Sequence, residues 1–556
     1  MLNCYLKSLC LSLFLVSTAC SHSTLPTQDL SLTKGSVVEH CHEAHLSEGW
    51  YSKDPLKLNH ELEFYLRLAA QDFSVEVAED SVQALVVPHA GYYYSGLCAA
   101  TAYQTLLPRH NNSVPFAKNE RIKRVIILAP SHTHYFRGVA LPDYTHYKTA
   151  LGTLIVDQEA CTKLAKHSLF AKRPDAHGKE HAIEMQLPFI QKTIADCSII
   201  PLIIGALDKN ILATIAAEIS PLCDDQTLLI ITSDFVHHGP SYNYTLFNAT
   251  IAHQIRSIDS EAIAALMQKN LPAFNTYLDD SRATICGKNP LLLLLQMLSS
   301  NTFPNAQARL CSYYTSNHMV AARTPHGINT TLLYTSLDDA LVRNGSVSYA
   351  GLVFVDQRKQ VQTTLPCLTS YEQRALVSLA RETLTNTLTA TKQLPNYFLE
   401  PIATPALSST CGAFVTLYKQ HKALRGCIGH ITTHEPLYKT ISAMSIAAAC
   451  NDTRFNPLQA EELADVSITV TVLAQPTPIN SVNEIILGKH GIILNKKSQD
   501  GILTHSAVFL PSVPTTQGWD LTTTLQQLSL KAGLKNPDAW GDNCSFQVFE
   551  SLEIKE

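Results

Sequence analysis

The sequence predicts an α/β protein, a parallel-rich sheet with flanking helices, followed by a smaller α+β domain. Three observations predict it. The apolar runs Leu85 to Val87, Val125 to Ala129 and Leu228 to Thr232 each lead into a polar stretch containing histidine. Continuous apolar strands of that length are the kind buried on both faces of a parallel sheet. Segments of helical periodicity lie between the runs, which is the alternation of βαβ units. The chain has 556 residues, more than one hydrophobic core serves, so at least two domains are expected.

In chain order, Lys7 precedes the apolar stretch Ser8 to Val16 and the small residues Ser17-Thr18-Ala19-Cys20. The stretch is too short to span a bilayer and reads as a signal peptide over residues 1–20. Cleavage after Ala19 would leave Cys20 first, open to a lipid anchor. The expectation is an exported protein, periplasmic or held at a membrane as a lipoprotein, and a cytoplasmic one if the signal is not used. Residues 21–44 read as a tether. A first folded domain over 45–355 begins with a helix from Leu56 to Ala70. Strands are expected near Leu85, Val125, Ile199 and Leu228. Helices are expected over Gly96–Leu106, Ile183–Ile194 (broken at Pro188), Ile211–Ile219, Glu261–Lys269 and Pro290–Leu298. Ala308–Thr315 and Ser346–Val355 complete the strands, and 356–369 reads as a linker.

From residue 370 to 556 the βαβ rhythm stops. A helix over Tyr371–Leu388 precedes a strand, Cys411–Gln420, and a turn, Leu424–Ile431. A helix over Leu437–Cys450 follows, then strands Val466–Ala474, Ile492–Asn495 and His505–Leu510 and a helix over Leu521–Ala532.

Composition narrows the function. Net charge is -5, with 46% hydrophobic residues and no long basic run, which argues against nucleic acid as a partner. The 15 cysteines show no CxxC pairs, so neither a zinc ribbon nor a disulfide scaffold is indicated. Three strand ends carrying histidine point instead to one shared metal site, because open α/β sheets bind ligands at the carboxyl ends of their strands.

The motifs PHAGYYYSG (from Pro88), APSHTH (from Ala129), EHAIEMQLPF (from Glu180), SDFVHHG (from Ser233) and CGKNP (from Cys286) resemble the Memo family in order and approximate spacing. That fold is similar to class III non-haem iron dioxygenases of the extradiol type. The resemblance implies His89, His132 and Cys286 as metal ligands. It makes Asp234 and His237 acid/base groups, Asp234 orienting a histidine through its free ring nitrogen. His134 would serve in place of His132, and His238 in place of His237; the sequence leaves both choices open. His181 and Glu184, three residues apart on a helix, would line the mouth of the cleft and bind substrate. Tyr92, Tyr93 and Tyr94 read as wall residues. The implied cofactor is a transition metal, Fe(II) first, with Cu or Zn as alternatives. Cys286 stands where extradiol enzymes place a carboxylate, and a thiolate is softer, so ring opening does not follow from the fold.

GAFVTL (from Gly412), LRGCIG (from Leu424), DTRFNPL (from Asp452), GKHGI (from Gly488) and LPSV (from Leu510) resemble the AMMECR1 family. Arg425 beside Cys427 suggests either an activated thiol, with His430 or His490 as base and Arg425 binding a carboxylate or phosphate group of the substrate, or a braced turn. Asp452 and Arg454 read as an ion pair fixing a helix end. Together the two resemblances imply a metal-dependent, dioxygenase-like redox protein of the AmmeMemoRadiSam system. Its substrate would be a small molecule or peptide, and a radical S-adenosylmethionine protein its partner. The alternatives are a non-enzymatic peptide-binding or metal-handling adaptor using the Memo cleft, and a transferase or hydrolase working through Cys427.

Overall fold

The three apolar runs become neighbouring strands. A computed structural model describes residues 40–556 apart from 109–116, 246, 248, 336, 361–363, 390–403, 421–422, 499, 501 and 542–543. The expected signal peptide, Cys20 and the tether as far as residue 39 lie outside the described residues. Strands β1 (Val82–Val87), β2 (Arg124–Pro130), β3 (Ser198–Ile204) and β4 (Thr227–Thr232) run parallel in the order β3-β2-β4-β1. Two antiparallel strands, β5 (Ala306–Thr315) and β6 (Ser346–Asp356), continue the sheet, with β6 beside β1. Pairing of Val87 with Thr232 and of Leu128 with Ile231 sets the carboxyl ends of β1, β4 and β2 side by side. The histidine-bearing loops therefore leave the sheet together.

Helices cover the strands. Asp54 caps α1 (Pro55–Asp72) by accepting from the N–H groups of Leu56 and Lys57, with Pro55 in the first turn, both ordinary starts for a helix. Helix α2 (Tyr92–Tyr103) packs on β1, β5 and β6; α3 (Lys209–Ile219) packs on the later α5. Next come α4 (Ile251–Met267) and α5 (Lys288–Ser299), which also packs on β2 and β4. Leu85, Val86, Val87 and the apolar residues of β4 are fully buried, each worth about 1.5–3 kcal/mol relative to exposure. As expected, Pro188 divides the stretch around Ile183: one turn spans His181–Glu184 and a second helix Leu187–Thr193. The sheet reaches twelve strands through short edge strands such as Val139–Leu141 and Phe170–Lys172, whose three residues give no readable period.

The second domain is α+β. Helix α6 (Ser370–Thr389) begins with Tyr371 in the first core and continues with Leu376, Ala380 and Leu384 in the second. Strands β7 (Ala413–Lys419), β8 (Ala423–His430), β9 (Val466–Leu473) and Ser551–Lys555 form one four-stranded sheet under α7 (Leu437–Cys450). A second four-stranded sheet contains Gly491–Lys497 and Leu503–Phe509, beside α8 (Leu521–Lys531). The expected turn over Leu424–Ile431 is instead strand β8. Its glycines serve close approach rather than reversal: a Cβ on Gly426 would lie 2.1 Å from the Ala448 carbonyl oxygen on α7, a distance only glycine permits.

Candidate metal centre

His89 follows β1 directly and is buried. Its backbone N–H donates to Asp234 Oδ1 at 2.8 Å, its Nδ1 pairs with Thr232 Oγ1 at 2.8 Å, and its Nε2 lies 3.1 Å from Cys286 Sγ. Gln186 Nε2 donates to Thr232 Oγ1 at 3.0 Å and fixes that hydroxyl in turn. Burial, then the neighbouring His132, His181 and His237, hold the His89 pKa well below its ordinary value. The ring is neutral and able to ligate.

His132 opens to solvent after β2. Glu180 grips it twice: the backbone N–H donates to Oε2 and Nδ1 donates to Oε1, both at 2.8 Å. With Nδ1 committed, the lone pair is on Nε2, the arrangement in which a carboxylate orients a ligating imidazole. Burial works to raise the Glu180 carboxyl, but the bonds from His132 outweigh it, and its pKa lies below the usual range. The alternative, His134, is turned away, with Nδ1 on Thr133 Oγ1 and Nε2 4.0 Å from Asp175.

Cys286 enters from the loop before α5. Its sulfur accepts the Asp234 N–H at 3.1 Å. Burial, reinforced by Asp234, pushes the thiol pKa well above normal. The next residue must be glycine: a Cβ on Gly287 would lie 2.3 Å from Ser233 Cβ. Donor atoms of His89, His132 and Cys286 all lie within 4.8 Å of one another. Ligands at about 2.1 and 2.3 Å around a tetrahedral ion stand roughly 3.6 Å apart, so sub-ångström shifts suffice and the donor set fits a transition-metal ion.

A cleft of about 570 Å³ opens beside this cluster, lined by His89, His132, His181, Asp234, His237 and Trp50 among others. Cys286 lines a separate hollow of about 370 Å³ with Ser131, His134 and Lys288, so the cluster lies where two openings meet. Burial, then repulsion from His132, lowers the His181 pKa to about 4. Its ring lies 4.3 Å from that of His132 and 4.7 Å from that of Trp50. His237 donates from Nδ1 to the carbonyls of Phe235 and Thr284, both at 2.9 Å, which fixes the ring. His238 is buried and stacks on Phe247, outside the cleft. Tyr94 lines the cleft, whereas Tyr92 is buried and donates to the Met185 carbonyl at 2.7 Å.

Four expectations need correction. Asp234 orients no imidazole nitrogen; it holds the His89 backbone, and the ring nitrogens take Thr232 and main-chain carbonyls instead. Burial raises the Asp234 carboxyl, with His237 opposing. Glu184 does not line the cleft. Its carboxylate accepts from Tyr51 at 2.6 Å and from the His45 and Leu46 N–H groups at 3.1 and 3.2 Å, and it pairs with His45 Nδ1 at 2.6 Å. It thereby anchors the segment that carries Trp50. Arg425 neither activates Cys427 nor offers its guanidinium to a substrate, because it is the extra residue of a β-bulge in β8 and forms a bidentate pair with Glu462 at 3.1 and 2.8 Å. Cys427 faces Thr416, whose hydroxyl donates to its sulfur at 3.3 Å. His430, three residues on in the same strand, points to the opposite face. Asp452 pairs with Arg454 at 2.7 Å just after α7 and also accepts the Cys427 N–H. Sequence reading missed Glu180, Thr232, Gln186 and Trp50; a carboxylate adjoining His181 was the available signal for the first.

Fold and site define an α/β domain with a candidate metal centre of two imidazoles and a thiol at the carboxyl edge of a parallel sheet. Residues 43–326 match the family described as Memo-like protein, and residues 377–554 match AMMECR1. The chain belongs to the Memo family and carries an AMMECR1 domain after it. It is 31% identical over 327 residues to Protein memo-1 homolog of Caenorhabditis elegans, covering 57% of this chain and 83% of that protein. It is 30% identical over 268 residues to Protein MEMO1 of Homo sapiens, covering 47% of this chain and 84% of that one. Among solved structures, the uncharacterized protein PH0010 from Pyrococcus horikoshii is 32% identical, covering 33% of this chain and 89% of that chain, with a TM-score of 0.29.

Proposed function

We propose that this chain is a metal-dependent redox protein whose Memo domain holds one transition-metal ion, iron(II), through His89 Nε2, His132 Nε2 and Cys286 Sγ. One observation carries the reading. Three donors from three separate segments converge within 4.8 Å, while the second nitrogen of each histidine is already occupied. A bound ion would supply electron-transfer chemistry and an open position toward the cleft. The protein's own groups do the rest. His237, locked at Nδ1, presents Nε2 as a proton acceptor. His181 and Trp50, their rings in contact, form one wall on which a flat substrate stacks, and Tyr94 forms the facing wall. Thr232 and Glu180 keep the two ligating rings from turning.

The test is oxygen consumption by iron-reconstituted protein offered catechol-type substrates. Iron-dependent turnover, reduced in His237→Gln with metal content unchanged, is the expected result. Iron-loaded protein that is inert with oxygen and these substrates, yet captures peptides after metal removal, would replace the redox reading with the adaptor.

A further inference from the structure

A cavity of about 870 Å³ shares no residue with the candidate metal centre; its walls come from both domains, including Val77, Arg309, Gln360, Leu368, Gln373 and Leu552. One donor in it lacks an acceptor. Arg309, on β5, is only 9% exposed, yet its guanidinium makes no hydrogen bond or ion pair among the described residues. Glu372 is buried nearby, but its carboxylate takes the Thr369 N–H at 2.8 Å and forms no ion pair with Arg309. A largely buried guanidinium without a hydrogen-bond acceptor is costly, and an anionic group in the cavity supplies one.

The chemistry of the ligand follows from the rest of the lining. Val77, Leu368 and Leu552 supply apolar surface, and the volume suits a small organic molecule. Glu76, Glu79 and Asp80 also border the cavity, and their negative charge disfavours a dianion such as phosphate. We propose that this cavity binds a carboxylate-bearing organic molecule, with the carboxylate on Arg309 and the apolar body on Val77, Leu368 and Leu552. Because both domains contribute walls, occupancy ties the Memo domain to the AMMECR1 domain. The proposal is independent of any metal.

The experiment is thermal unfolding of the full chain titrated with octanoate, benzoate and inorganic phosphate. Either carboxylate should raise the unfolding temperature saturably, by several degrees at millimolar concentration, and phosphate should not. Arg309→Met, checked for folding by circular dichroism, should lose that shift, whereas Arg309→Lys should keep part of it and Cys286→Ser all of it. The proposal is overturned if neither carboxylate shifts the wild type, or if phosphate shifts it equally. It is also overturned if correctly folded Arg309→Met responds like the wild type, since Arg309 would then be only a counter-charge to Glu372.

Discussion

Cys286 and Cys427 offer a comparison within one chain. Cys286 lies in the loop before α5 and Cys427 within β8, but both adjoin a glycine and both have charged or ionisable neighbours. At Cys427 those neighbours satisfy one another: Arg425 with Glu462, and Arg454 with Asp452. The thiol receives the Thr416 hydroxyl and lies beside the Arg454 guanidinium that Asp452 already holds. At Cys286 the neighbours are satisfied on their far sides, by Glu180 and Thr232, and their remaining lone pairs converge on the sulfur. A cluster of reactive residue types becomes a binding site when its hydrogen bonds are spent outward. It becomes a brace when they are spent inward.

The largest effect should come from breaking the convergent site. His89→Ala combined with His132→Ala should abolish metal retention, measured by elemental analysis, while Cys427→Ser leaves it unchanged. Next is the glycine behind each cysteine. Gly287→Ala forces a Cβ to within 2.3 Å of Ser233 Cβ and Gly426→Ala to within 2.1 Å of the Ala448 oxygen. Each should destabilise its own domain by about 3 kcal/mol in urea unfolding, but only Gly287→Ala should also weaken metal binding.

A buried acid in the first domain supplies a pH test. Burial raises the Asp259 carboxyl to about 7, against bonds from Ser348 and Tyr313. Asp259 also accepts the N–H of Val236, next to His237. Between about pH 4 and that value the unfolded chain has lost a proton that the folded one keeps. Stability therefore falls as pH rises, by roughly 2–4 kcal/mol across this window. Asp259→Asn should flatten that slope in unfolding titrations; an unchanged slope would show that Asp259 is not its source. The smallest effects separate the two carboxylate braces. Glu180→Gln should weaken metal affinity by about 10–100-fold. Glu462→Gln should leave affinity alone and cost the second domain about 1 kcal/mol or less.

What the sequence made legible follows from range. Unbroken apolar runs announce β1, β2 and β4, and the residue after each run stands at the carboxyl edge whatever the strand order. His89, His132 and the Asp234–His237 loop were therefore readable. Glu180 was not, because it meets His132 across 48 residues, through a neighbourhood that strand order alone creates. Glu184 shares a helical face with His181, but periodicity does not say what covers that face; the segment from His45 to Tyr51 does. The glycines of LRGCIG suggested a turn because close approach and chain reversal both select glycine, and only the position of α7 separates them.

The most direct test compares metal content in wild type and Cys286→Ser, both purified without oxygen or chelator, with Cys427→Ser beside them. Near-stoichiometric iron in the wild type and in Cys427→Ser, lost in Cys286→Ser, is the predicted result. Equal metal in all three, or none in a correctly folded wild type, would contradict a centre built on His89, His132 and Cys286.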